Sequence, residues 1–387
     1  MSEIKVNSIK GVSASTAAIS IDNSSGTCTA NITNNLSNRN LIINGAMQVA
    51  ERGLSSTSTG YQTIDRFFTY HGGTDEAPTY SQADVSSGTT PYTLGFRKSF
   101  KITNGNQTGG ADASDQLTVA YAFEAQDIAN SGWNYTSSSS YITLSFWIKS
   151  SVAQDFKCFL KTEDGTEKSY PFATGSLSAN TWTKVTKSIS GDSGLTFDNN
   201  VNKGFEITWS AYQGTDITGS VTENAWMTWN GSTRTADQTS TWYTTNDATL
   251  EITGVQLEVG SVATDFEHRS FAQELALCQR YYERIDHVSG AAAFAGGLAG
   301  FYNASEDIVI IHHFRVIKRT TPTFEYSALS DLDFEPHDNS VSGLALSIAD
   351  TKCIVLRTTS TTAETKGHAC YLCIDQANGF IAFNAEL

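Results

Sequence analysis

The residues best equipped for chemistry are spaced in ways that argue against a catalytic centre. Asp331, Asp333 and Glu335 alternate ahead of Pro336, which on a strand sends all three carboxylates to one face. Paired carboxylates are the machinery of glycoside hydrolysis. A row of acids on a strand edge also keeps other strands from pairing with it, and that is the use expected of these three. His312 and His313 are adjacent, so a strand points them to opposite faces and denies them a shared metal. Six cysteines are scattered along the chain: Cys28, Cys158, Cys278, Cys353, Cys370 and Cys373. Only Cys370 and Cys373 have CxxC spacing, and no second Cys or His pair completes a zinc site, so buried free thiols are expected. Walker A, GxGxxG, HExxH and GxSxG stretches are all missing from the sequence. A Ser/His/Asp triad is assembled in space and stays open, with nothing in the spacing to favour it. The expectation is a protein without catalysis, metal or cofactor.

The aromatic residues are more informative. Trp133 and Tyr135, Trp226 and Trp229, and Trp242 and Tyr243 sit in polar, Ser/Thr/Asn-rich sequence. Flat rings with one polar edge stack well on the apolar faces of sugars. These six are candidate glycan contacts, although core packing is the commoner use of such rings. Trp147 and Trp182 fall in regular strand patterns and are expected to serve the sheet.

These residues must be positioned by β-structure. The chain has 387 residues, enough for two or three domains. Only 17% are charged, against roughly 25% in ordinary soluble domains. Hydroxyl and amide side chains fill the difference, which suits sheets wetted on one face. A net charge of −15 argues against a nucleic-acid partner, since phosphates call for clustered Lys and Arg. The start, Met1-Ser2-Glu3-Ile4-Lys5, lacks a basic segment followed by an apolar one. No run approaches the ~18 apolar residues of a membrane span. Neither a secretory leader nor membrane insertion is expected.

Four segments follow. Residues 1–39 read as an extended docking arm, with Ile4, Val6 and Ile9, then Ile19 and Ile21, at alternating positions. Strands this short cannot enclose a core and need a partner in the chain or in another subunit. Residues 40–268 read as one large sandwich. Leu41-Ile42-Ile43 opens it ahead of the Asn44-Gly45 turn, and Leu144, Phe146 and Ile148 share a face. Lys157–Lys161 is expected beside that strand. Trp182, Lys184 and Thr186 lie opposite Val185, and Gly254 marks a bulge in the last strand. In residues 269–299, Phe271, Leu275, Cys278 and Tyr282 form an apolar helical stripe of about four turns. Ser270 is its expected cap, and the stripe is a seam between copies if the protein is a trimer. Residues 300–387, after a Gly/Ala-rich connector, read as a small β-sandwich. Its strands include Ile308–Ile311, Phe314–Ile317, Thr323–Tyr326, Ala345–Ile348, Cys353–Leu356 and Phe380–Phe383. The fold class is all-β: arm, large jelly-roll sandwich, one connecting helix, small C-terminal sandwich.

Two stretches resemble known families. Asn40-Leu41-Ile42-Ile43-Asn44-Gly45-Ala46-Met47-Gln48-Val49 is similar to the opening "NLLxNGxFE" strand of carbohydrate-binding-module jelly rolls. Leu250–Glu258 is similar to their closing "IDDVSLE" strand, with Thr253-Gly254 in place of the acidic pair. Val255-Gln256-Leu257-Glu258-Val259-Gly260-Ser261-Val262-Ala263-Thr264-Asp265-Phe266-Glu267-His268-Arg269-Ser270, followed by Glu274–Tyr282, resembles a signature of tailed-bacteriophage tail-fibre and related virion proteins, often of marine phages and cyanophages. The ends of the chain, Ile4–Ile9 and Phe383–Leu387, are similar to the ends of such proteins. The resemblance implies a homotrimer, attachment to other virion proteins through residues 1–39, assembly in the host cytoplasm into the virion, and β-domains that face a host-surface glycan. A capsid decoration or head fibre, a polysaccharide-degrading tailspike and a free-standing carbohydrate-binding module stay open as alternatives.

Overall fold

Period-two alternation builds most of the molecule. The computed structural model describes residues 6–9, 12, 19–21, 24, 28–30, 38–287, 298–335, 339–361 and 363–387. Its largest unit is a pair of six-stranded antiparallel sheets. The first runs Met227–Thr228, Lys168–Ala173, Lys157–Thr162, Lys203–Gln213, Gln116–Glu124, Phe67–Gly72. The second runs Thr183–Ser190, Tyr141–Ser150, Thr249–Val259, Lys98–Thr103, Thr79–Asp84, Ser55–Ser56. The chain crosses repeatedly from one sheet to the other, which is the winding of a jelly roll. Leu144, Phe146 and Ile148 point inward and are buried, and Phe146 meets Trp209 of the opposite sheet edge-on, with 5.7 Å between ring centroids. Val185 is buried while Lys184 and Thr186 are exposed, as their alternation requires.

One pairing differs from expectation. Lys157–Thr162 lies in the first sheet, between Lys168–Ala173 and Lys203–Gln213, and not beside Tyr141–Ser150. The true neighbours of Tyr141–Ser150 are Thr183–Ser190 and Thr249–Val259. A short polar link serves a hairpin and a crossing between sheets equally well, so the linker did not separate the two. The bulge at Gly254 is present: register shifts between Thr253 and Gln256, and Gly254 has φ +62°. Leu41-Ile42-Ile43 forms no ladder strand; Leu41 N–H donates to Leu257 O at 2.9 Å.

In the arm, Ser8–Ile9, Ile19–Ile21 and Cys28–Ala30 pair with one another as a three-stranded sheet. Val6 and Ile9 are exposed, Ile19 and Ile21 half-buried, and Ile4 lies outside the described residues.

The helix is Phe271–Gln279, nine residues and so shorter than the expected four turns. Ser270 and Gln273 form a reciprocal capping box. The apolar stripe does not set its buried face. Glu274, Cys278 and Gln279 are buried, Leu275 is half-buried, Phe271 points outward, and Tyr282 belongs to the next strand. Polar residues win the inner face because waiting partners satisfy them, as described below.

The C-terminal unit holds its own core around Ile308, Ile310, Leu356, Leu372 and Phe383. Where turn spacing suggested a small sandwich, six strands close into a barrel in the order Leu298–Tyr302, Asp307–His313, Cys353–Ser360, Asn339–Ala349, Leu332–Glu335, Ala369–Ile374. Closure removes the free edges. A three-stranded sheet of Tyr282–Asp286, Phe380–Asn384 and Thr323–Tyr326 accompanies it. Phe314–Ile317, read as a strand, is irregular, because the chain turns there to carry Lys318 inward. Asp331 falls in a 3-10 turn, leaving Asp333 and Glu335 on the strand.

Candidate functional site

The six aromatic candidates divide. Trp242 and Tyr243 are completely buried and Trp133 nearly so. Trp242 Nε1–H donates to Thr249 O at 3.0 Å, and Tyr243 stacks on Tyr212 with centroids 4.4 Å apart. These three are core residues and beyond the reach of a sugar. Their polar flanks misled because a sandwich loop can be polar throughout while turning one large ring inward. Tyr135 is half-buried against Phe197, and Trp226 donates to Ser190 O at 2.8 Å beside Tyr170. Trp229 packs on Phe159 at 5.3 Å, with Lys161 Nζ 5.0 Å from its ring. Thus Phe159 and Thr208, on outward positions of the first sheet, are buried. The chain's own segment around Trp229 occupies that face.

The outer face of the second sheet is different. Cross-strand register places Lys184, Trp147 and Thr253 in one row and Thr186, Ser145 and Gln256 in the next. Above them lies a cleft of about 260 Å³ lined by Leu94, Phe96, Ser145, Trp147, Lys184, Gly254, Asp265, Phe266 and His268. Phe96, Phe266 and His268 form a trio with centroids 4.9 to 5.2 Å apart. His268 Nε2 sits 2.8 Å from Leu94 O. Two glycines make room for it. A Cβ on Gly254 would lie 2.7 Å from the Phe96 ring, and one on Gly95 (φ +99°) 3.0 Å from the His268 ring. Tyr92, Trp147, Trp182 and Phe266 are only partly buried against this cluster. Trp147 was expected to serve the sheet, and the cleft it lines was not anticipated. Yet the signal was present, since the alternation that buries Phe146 and Ile148 must turn Trp147 outward.

A second constellation joins the two β units. The opening segment meets the closing strand through Asn40: its Oδ1 accepts from Ile42 and Leu257 N–H groups, and its Nδ2 donates to Val255 O at 3.2 Å. A Cβ on Gly45 would collide with Val255 O at 2.1 Å, so only glycine fits there. Glu267 accepts from Asn38 N–H and Asn40 N–H, and Glu274 from Asn44 N–H. Arg280 grips Glu124 with Nε and Nη2 at 2.7 and 2.8 Å, and Tyr281 Oη donates to the same carboxylate. Burial alone would raise Glu124, but these hydrogen bonds outweigh it and hold the carboxyl below its ordinary range. Lys318 Nζ, wholly buried, is 2.7 Å from the equally buried Glu283 carboxylate and donates to Gln279 O at 2.6 Å. Burial would raise Glu283 as well, and His312 and Lys318 hold it low. Arg52 lies 3.4 Å from Asp65 and 3.3 Å from Glu386, which also pairs with Arg66. Burial pushes Asp65 up to about 8 and Glu51 to about 6.

Cys158, Cys278, Cys370 and Cys373 are buried free thiols and Cys353 is half-buried; burial raises Cys370 and Cys373 to about 11. His312 stacks on Phe383 while His313 is exposed, the opposite faces expected of neighbours. Among the described residues no helix is long and apolar enough to cross a membrane.

No family model matches the chain, and no curated protein matches it. Among solved structures it is similar to the enzymatically active domain of tailspike protein 4 of bacteriophage CBA120, at 12% identity over 57% of this chain and 21% of that one, with a TM-score of 0.31. It is also similar to a CBM4 structure (11% identity, 50% and 95% of the two chains, TM-score 0.26). A putative sugar binding protein from Bacteroides thetaiotaomicron is a third neighbour (12%, 57% and 100%, TM-score 0.28). The chain spans about a fifth of the tailspike chain's length.

Proposed function

We propose that the chain is a virion structural protein of a tailed bacteriophage, a tail fibre or comparable appendage that docks through residues 1–39 and adheres to the host surface. The observation that supports this most is the junction. Side chains of the stretch that resembles phage virion proteins, among them Glu267, Arg269, Glu274, Arg280 and Tyr281, are taken up by hydrogen bonds and ion pairs within the chain. These contacts seat the stretch on the large sandwich, and Lys318 of the C-terminal unit donates to Gln279 O in the same stretch, so the stretch ties the two β units together, as an appendage under pulling force needs. Function in this reading is assembly and adhesion, without catalysis. Affinity comes from many weak host contacts whose avidity multiplies across copies.

The assembly is a homotrimer. Cys278 and Tyr282 are buried within the chain, so the helix offers a neighbour Phe271 and Leu277, its exposed large apolar residues. In the arm, exposed Val6 and Ile9 are available to other virion proteins. Labelling the chain on purified infectious particles tests the reading: density at an appendage is expected, and absence from the particle ends it. Deleting residues 1–39 should yield particles that lack the chain while the free protein stays folded. The mass of the purified protein should be three times 41.8 kDa.

A further inference from the structure

We infer that the cleft on the outer face of the second sheet binds one ring of an acidic sugar, a hexuronate or a comparable carboxylated residue of a surface polysaccharide. This deepens the adhesive reading and rests on it for its biological role, although binding itself is a property of the isolated chain.

Size comes first. About 260 Å³ is just below the roughly 300–1,000 Å³ of pockets for drug-sized ligands, so the cleft takes a single ring and leaves the rest of a polymer outside. Its lining comes second. Trp147 and Phe266, both only partly buried, supply flat faces against the buried Phe96 ring, while Ser145 and His268 supply groups for sugar hydroxyls. Trp182 Nε1, in the adjoining cluster, finds no acceptor within the described residues. Charge decides the class of sugar. In a chain with 40 acidic and 25 basic residues, Lys184 lines this cleft, is exposed, and has no ion-pair partner among the described residues. Lys149, 5.1 Å from the Trp182 ring, is already paired with Glu251 at 2.8 Å, so a ligand's carboxylate falls to Lys184. A neutral sugar leaves Lys184 unused; a carboxylate pairs with it. On the first sheet the outward positions Phe159 and Thr208 are already covered, Phe159 by Trp229.

The test titrates the full-length protein with a glucuronate-containing tetrasaccharide and with a neutral glucose tetrasaccharide, by calorimetry and tryptophan fluorescence. The acidic probe should bind at least tenfold more tightly than the neutral one, and 0.5 M salt should shrink that difference. Lys184→Gln, an exposed change that leaves folding intact, should abolish the preference. Trp147→Ala should weaken binding of the acidic probe tenfold or more, with Trp147→Phe retaining part. Failure of both probes to bind, or wild-type binding by Trp147→Ala, overturns the site. Equal affinity for the two probes, or an unchanged preference in Lys184→Gln, overturns the acidic assignment. Absence of the chain from virions would overturn the appendage reading and leave these binding results standing.

Discussion

At the scale of single residues, the sharpest commitments are buried charges. Lys318 and Glu283 are both completely enclosed, and such a pair is costly to break because the survivor stays charged and unpaired. Glu283→Gln should therefore destabilise the protein by about 3–5 kcal/mol in denaturant unfolding. The double variant Glu283→Gln/Lys318→Met should recover most of that loss; no recovery would mean that the pair is not the source. None of this was visible in sequence. Lys318 follows a run that reads as an apolar strand, and its partner lies 35 positions away. Trp147 was legible in principle, since the pattern that fixed its inward neighbours also fixed its face. What sequence could not provide was Phe96 and Phe266, which pack beside it from other segments, with Gly254 leaving room for the Phe96 ring.

Elements were read best where alternation decides them. Tyr141–Ser150, Lys203–Gln213 and Thr249–Val259 have the faces their patterns dictate, because a one-residue slip would expose a whole apolar row. Pairing partners were harder, as with Lys157–Thr162, because a link carries no record of which sheet it enters. The helix shows where periodicity fails: its apolar stripe lost to a polar face with better partners. Its start is still local chemistry. Ser270→Ala removes the acceptor for Gln273 N–H and should cost about 1 kcal/mol, read as a lower unfolding midpoint. An unchanged midpoint would mean that packing alone holds the helix.

For the whole molecule, the junction makes stability depend on pH in two opposed ways. Asp65 titrates near 8 in the folded protein against an ordinary 3.8, and Glu51 near 6 against 4.5. A raised carboxyl contributes fully below its ordinary value, and its contribution fades as pH climbs to the folded one. Glu124 and Glu283 are held low, so their contribution fades as pH falls below the ordinary carboxylate range. The melting temperature should therefore peak near pH 5 and decline by at least ~2 °C toward pH 8, and Asp65→Asn should flatten that decline. A wild-type curve that rises from pH 5 to pH 8 would contradict it. The Arg66–Glu386 pair has a further consequence, in time. Its members are 320 positions apart, so at about 5–20 residues per second a ribosome exposes the guanidinium roughly 15–60 s before its carboxylate. For that interval the nascent sandwich presents a cationic socket to water, and any chain halted short of residue 386 keeps it open.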